Sequence, residues 1–249
     1  MATTTVKEYN RYGEELENIL LLRTSPVAVK MLKKESDIPA GALRPKKDRD
    51  THYAQCQAFA MTRREGVTVA MLKEDHWCPA ALMAYGMVPL PKGMNPTRMH
   101  PYDMFDYGKY IGILTAPLKN AHFKPDVVII YSNTSQLRSL LLSFGPDKVP
   151  QVGGRYFPPS CAHAVVTPML KDGYWVILPD PGEYQRALCD EGEMMFAFPA
   201  AKLPDLMADL SRFQSQGFAY RRNYYFMQGD FSRPDFYKAM FKEWGLEDY

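Results

Sequence analysis

Four cysteines are the residues of this chain best suited to chemistry, and they are scattered: Cys56, Cys78, Cys161 and Cys189. Thiolates ligate iron–sulfur clusters and zinc, and a thiolate is also a nucleophile. Cys78 stands directly before Pro79 in "DHWCPAALMAYG". A residue before proline avoids the helical region, and proline suits the first helical position, so Cys78 is predicted as an N-cap. Cys161 is predicted to open another helix, capped by Ser160. The dipole and free N–H groups of a helix start stabilise thiolate charge and cluster sulfide. The set therefore predicts a [4Fe–4S] cluster on Cys56, Cys78, Cys161 and Cys189, with Cys189 the weakest of the four ligands. His76, Trp77, Arg155 and His163 are expected at its rim. The spacing lacks the compact C-x2-C runs of ferredoxins and zinc ribbons, and zinc is the lesser metal alternative. Two further readings stay open. Free cysteine is a common buried residue, so the four can be core thiols. A thiolate beside His76 or His163 would instead be an activated nucleophile.

Other motifs are absent. There is no G-x-G-x-x-G after a strand, no G-x4-G-K-[ST], no G-x-S-x-G and no H-E-x-x-H. In "VGGRYFPPSC", Gly153 and Gly154 let a backbone approach a ligand and Arg155 can hold an anion, although a plain turn explains the pair as well. His52, His100 and His122 sit in polar segments and read as surface or packing residues. The formal net charge of +2 gives no nucleic-acid footprint. The short basic runs "RPKKDR" and Arg221-Arg222 read as solvated loops. No run approaches the ~20 apolar residues of a membrane span, and no basic-then-apolar leader opens the chain. The expected compartment is the cytoplasm, where cysteines stay reduced, metal-bound or catalytic.

The elements that must position these residues follow from periodicity. Val6, Tyr9, Leu16, Ile19 and Leu20 predict a helix over 5–22. "VAVKML", "VTVAML", "YIGILTAPL", "PDVVIIY", "YWVIL" and "MMFAFP" read as strands. Thr51 is a candidate cap for a helix that carries Cys56, runs to Arg63 and stops at Gly66. "NTSQLRSLLLSFG" and "AKLPDLMADLSRF" are further helices. Residues 87–108, with four prolines, form a long excursion of the kind that often carries function. Laid side by side, the two halves match. Each runs strand, helix with a cysteine, glycine, strand, cysteine, strand. The prediction is an α+β chain of two similar α/β lobes with mixed sheets, over about 1–118 and 119–211, and a helical tail over 212–249. In the tail, Phe236, Met240 and Trp244 recur at helical steps beside Tyr237 and Phe241, an apolar face suited to docking on the body or to homo-oligomer formation.

"LLLRTSPVAVKML", "YAQCQAFAMTRREGVTVAMLKEDHWCPAALMAYG", "FKPDVVIIYSNTSQLRSLL", "PPSCAHAVVTPML" and "DEGEMMFAFPAAKL", in that order, resemble the bacterial and archaeal family called domain of unknown function 169. The likeness covers about residues 15–210. It implies an α/β protein frequent in anaerobes and carries no reaction. Cys56, Cys78 and Cys161 match cysteine positions of that family, while the segment around Cys189 varies. The expected function is an iron–sulfur protein of anaerobic metabolism, for electron transfer with a redox partner protein or for binding a small substrate. The alternative is a metal-free small-ligand-binding or accessory protein. Its pocket would lie between the lobes, lined by Met, Tyr and the 87–108 segment.

Overall fold

A computed structural model describes residues 4–94, 102–145, 152–218, 220 and 233–246. His100, the Arg221-Arg222 pair, the middle of the 87–108 excursion and much of the aromatic tail lie outside the described residues. The chain is a mixed α/β fold built on one seven-stranded sheet, ordered β2-β3-β1-β4-β7-β6-β5. Its strands are β1 (Val27–Leu32), β2 (Val69–Leu72), β3 (Gly112–Pro117), β4 (Val127–Asn133), β5 (Val152–Arg155), β6 (Tyr174–Ile177) and β7 (Glu193–Pro199). The helices that cover it are α1 (Val6–Leu20), α2 (Pro45–Arg49), α3 (Gln55–Ala60), α4 (Pro79–Ala84), α5 (Thr134–Ser143), α6 (Ser160–Lys171), α7 (Pro181–Arg186) and α8 (Leu203–Ser215). A further helix, α9 (Asp235–Glu243), exposes Phe236, Tyr237 and Met240, with Trp244 just beyond it. None of the described helices is long and apolar enough to cross a membrane.

The strand order repeats about the β1–β4 pair. In the first half, β3 lies between β1 and β2 and is antiparallel to both. In the second half, β7 lies between β4 and β6 and is antiparallel to both. Val27 faces Pro117 in one half and Val127 faces Pro199 in the other. Only β5 breaks the pattern, running parallel to β6 at the sheet's edge. The repeated strand–helix–strand–cysteine–strand order therefore has a physical counterpart, with α3 and α6 in equivalent places. The antiparallel β1–β4 contact joins the halves into a continuous sheet.

Nearly every residue of β1, β2, β3 and β4 is buried, which is why these segments read as continuous apolar runs, whereas β5 at the edge is only half-buried. Alternate residues serve two cores. Val27, Val29 and Met31 pack with residues from α3, α4 and α6, while Ala28 and Leu32 pack with α1, α5 and α8. Each buried large side chain contributes roughly 1.5–3 kcal/mol. Gly13 lets α1 lie against the backbone at Lys119, since a Cβ there would come within 2.6 Å of its nitrogen.

Local signals hold where sequence predicts them at α5, capped by Asn133, and at Gly66, which ends the helical run from α3 through a wider π turn over Met61–Glu65. Thr51 is not the cap of α3; Ala54 is. The reason is tertiary. Tyr53 is drawn into a parallel bridge with His76, its N–H donating to the Asp75 carbonyl while Trp77 N–H donates to Tyr53. That bridge sets the start of α3 beside the start of α4.

Candidate functional site

Two neighbourhoods on the α3–α4–α6–α7 face hold the groups suited to chemistry. In the first, Cys56 is the second residue of α3, Cys161 the second residue of α6, and Cys78 the N-cap of α4 with Pro79 at the first helical position. Cys56 and Cys161 belong to one apolar cluster, and half-buried Cys78 packs against it. Cys189 is also buried but lies outside that cluster, donating to the Asp190 carbonyl at 3.7 Å near Glu193 and Arg63. All four thiols are free.

The iron–sulfur expectation on Cys56, Cys78, Cys161 and Cys189 is overturned. Among the described residues, no group of three or more His, Cys, Asp or Glu side chains is arranged to hold a metal ion. Three of the four thiols are buried. Burial pushes the Cys56 and Cys189 thiols up to about 12, with the neighbouring carboxyls Glu183 and Glu193 adding to it respectively. Burial likewise raises Cys161, reinforced by Cys56 and Glu183. Cys56, Cys161 and Cys189 are thus held as protonated thiols by their burial. The same environment leaves the three buried thiols poor nucleophiles.

The predicted rim residues divide. His76 is buried, its ring edge-on to Tyr85 at 6.2 Å, and burial lowers its pKa to about 4. Trp77 is 60% exposed, with the Arg186 guanidinium 5.2 Å above its ring. Arg155 and His163 belong to the second neighbourhood.

Beside the thiols lies an acid that no sequence motif singles out. Glu183 is the third residue of α7 and fully buried. Tyr131 donates to its Oε2 at 3.1 Å, and its Oε1 has no hydrogen-bond partner among the described residues. Burial raises its pKa to about 8; the Tyr131 hydrogen bond opposes the rise and the Asp180 charge reinforces it. Arg63, the cation that acts on it, is already engaged. Arg63 makes two hydrogen bonds to Glu193, at 3.0 and 3.1 Å, and its guanidinium lies 4.0 Å from the Tyr131 ring centroid. Gln55, first in α3, is fully buried with neither amide atom partnered among the described residues. Asp180 caps α7 through Gly182 and Glu183 N–H and also accepts from Ser160 N–H at 2.8 Å, joining the starts of α6 and α7. Asp-Pro followed by Glu at the third helical position reads locally as a solvated helix start. Only the packing of α7 against α3 puts Glu183 inside.

The second neighbourhood is a cavity of about 300 Å³ on the outer side of α4. Ala80, Met83 and Ala84 form one wall, Tyr102, Met104 and Met94 another, and Pro158 and Pro159 close it before α6. The segment 102–105 is an extended strap tied to the end of α4, with Phe105 N–H donating to the Ala84 carbonyl. Gly86, at φ +67°, leaves room there for the Asp106 carbonyl that a Cβ would strike. Tyr102 and Met104 line the cavity, and Asp103 between them engages a different set of groups. Its Oδ2 accepts from Arg155 and from Thr167, both at 2.7 Å, and its Oδ1 pairs with Lys171 at 2.9 Å. Burial alone would raise this carboxyl, but the hydrogen bonds from Lys171, Arg155 and Thr167 outweigh it and hold the pKa near 2. His163, buried in α6, stacks on Tyr102 at 5.9 Å and meets the edge of Phe157 at 4.9 Å. Burial, then the nearby Arg155 charge, lowers its pKa to about 4.

A model of the domain of unknown function 169 family, described as uncharacterised ArCR, matches residues 15–209. No curated protein matches the chain, and no solved structure does. The matched span holds the whole sheet and both neighbourhoods, well over half of the molecule. The chain belongs to the domain of unknown function 169 family.

Proposed function

We propose that this protein binds a small, largely apolar molecule in the cavity between α4, the 102–105 strap and the start of α6. The observation that carries the reading is the cavity itself: about 300 Å³, walled by three methionines, two alanines, two prolines and one tyrosine. That size and lining suit a small-molecule site, in which a few polar groups orient an apolar body. Unbranched methionine side chains adapt to the shape of what they cover. The strap supports the same reading, because it is held from outside by Asp103 while its inward residues face the space. The four free cysteines fit a reducing, cytoplasmic setting.

Titration with the apolar fluorophore N-phenyl-1-naphthylamine tests this. Saturable binding at one site per chain is expected. Ala80 lines the cavity and is only half-buried, so Ala80→Trp should fill the space without disrupting the core. It should weaken probe binding by about tenfold or more and leave the circular dichroism spectrum unchanged. Probe binding that is non-saturable, or equal in the variant, would remove the cavity as the site.

A further inference from the structure

Four of the eight described residues that line the cavity favour one kind of guest. Met83, Met94 and Met104 bring polarisable thioethers, and Tyr102 brings a ring. Thioether sulfur and aromatic rings both gain from contact with a further aromatic ring, beyond the area buried in the contact. A saturated body of the same size collects the burial alone. Met83, Tyr102 and Met104 are half-buried and Met94 is 38% exposed, so each keeps surface free for a guest.

Tyr102 is also held ready. His163 stacks on it, with centroids 5.9 Å apart and ring planes 13° from parallel. Phe157 stands at 88° to it, 5.4 Å away, and at 82° to His163. Next in the chain, Asp103 ties the strap to Arg155, Thr167 and Lys171. One face of the Tyr102 ring is covered. What the ring offers the cavity is the remainder, in an orientation set before any guest arrives. Preorganisation of that kind lowers the ordering cost of binding. Size bounds the guest. An apolar cavity of about 150 Å³ takes one benzene ring, and this one is about 300 Å³. It has room for two fused rings.

We infer that the ligand of the cavity is an aromatic molecule the size of two fused rings, stacked or set edge-on against Tyr102 and covered by the thioethers of Met83 and Met104. The inference rests on the cavity reading above and adds the chemical class of the ligand. Such a ring takes up contacts with Tyr102 and the sulfurs that an aliphatic chain or a saturated ring leaves unmade. A tenfold preference corresponds to about 1.4 kcal/mol, which one ring–ring contact and one sulfur–ring contact together supply.

The test is calorimetric titration of the whole chain at pH 7 with 2-naphthol and with decahydro-2-naphthol. These share a skeleton and a hydroxyl and differ in aromaticity. The saturated alcohol is no more polar, so burial alone gives 2-naphthol no advantage. In the native protein, 2-naphthol should bind about tenfold more tightly. Tyr102→Phe keeps the ring and removes the hydroxyl, and it should keep that ratio. Tyr102→Leu combined with Met104→Leu removes the ring and one sulfur at similar bulk. It should cut the ratio by about threefold or more and leave decahydro-2-naphthol binding unchanged, with thermal unfolding confirming the fold. Equal affinity for the two alcohols in the native protein, or no binding of either while the fluorophore binds, would overturn the inference and leave the apolar cavity standing. A ratio lost in Tyr102→Phe, or intact in the double variant, would overturn the assigned contacts. Failure of the fluorophore itself to bind would remove the cavity reading, and this inference with it.

Discussion

Glu183 and Asp103 are carboxyl groups on the same side of the sheet, both largely withdrawn from water, and their proton affinities are driven in opposite directions. Glu183 is pushed up to about 8 and Asp103 is held near 2. Burial penalises the charged form of each. The difference lies in how completely each is enclosed and in what each one faces. Asp103 receives a guanidinium, an ammonium and a hydroxyl. Glu183 receives one phenol, while Arg63 spends its charge on Glu193 and Asp180 adds repulsion. Desolvation is heavier for the fully enclosed Glu183, and the fewer and less charged donors that it meets widen the gap. Asp103 is thus a fixed anion that clamps the strap, whereas Glu183 carries a proton at neutral pH.

The largest expected effect comes from breaking the charge pairing beneath Glu183. Arg63→Met leaves buried Glu193 with only the more exposed Arg64, at 3.9 Å, and should cost about 3–5 kcal/mol in urea unfolding. A loss below about 1 kcal/mol would mean that Arg63 does not hold this interior together.

The next effect is a matter of sign. The folded pKa of Glu183 is raised above its ordinary value of 4.5, so between pH 4.5 and 8 the folded state holds a proton that the unfolded state has released. Stability should therefore fall through that window as pH rises. Glu183→Gln should remove this part of the slope and be more stable than the native protein at pH 8 by about 2–4 kcal/mol. Parallel curves for the two proteins would show that Glu183 is ionised.

Asp103 should behave in the opposite sense. Its folded pKa is depressed, so its stabilisation is complete above about pH 4 and is lost as pH falls through about 2. Asp103→Asn should cost about 1–3 kcal/mol at pH 7 and loosen probe binding through the strap. The gap between variant and native protein should close as the solution is acidified toward pH 2.

The smallest effect concerns the thiols. Cys78 is half-buried, while Cys56, Cys161 and Cys189 are enclosed and held protonated. Iodoacetamide at pH 8 should label Cys78 first, faster than the others by a factor of about ten or more. Cys78→Ser should remove the fast phase. Equal rates at all four cysteines would contradict the burial that separates them.

Much of the scaffold was legible in the residues. Continuous β-branched and apolar runs located the strands, and Pro79 after Cys78 located the start of α4. The matching order of strand, helix, strand, cysteine and strand anticipated the repeat about β1 and β4. The site was less legible. Cys56 and Cys161 do gather in one apolar cluster with Cys78 packed against it, yet among the described residues no metal-holding group forms there. His163 and Arg155, expected at a metal rim, are tied instead to the strap at Tyr102–Met104, whose Asp103 lies 52 residues from Arg155 in sequence. Glu183, Gln55 and Arg63 carried no local sign of burial.

The sequence by itself determined what depends on neighbours along the chain: strand and helix identity, the cap at Cys78, the glycine stop at Gly66 and the family. These follow from backbone sterics and short-range periodicity, which need only a few adjacent residues. Tertiary structure alone decided the chemistry. Whether a thiol or carboxyl ionises depends on the water it loses and the charges it meets, and those come from residues far away in the chain. Glu183 lies 52 residues from its Tyr131 donor, and Asp103 lies 52 from Arg155 and 64 from Thr167. No local rule reaches that far, because desolvation and Coulomb energy are set by distance in space.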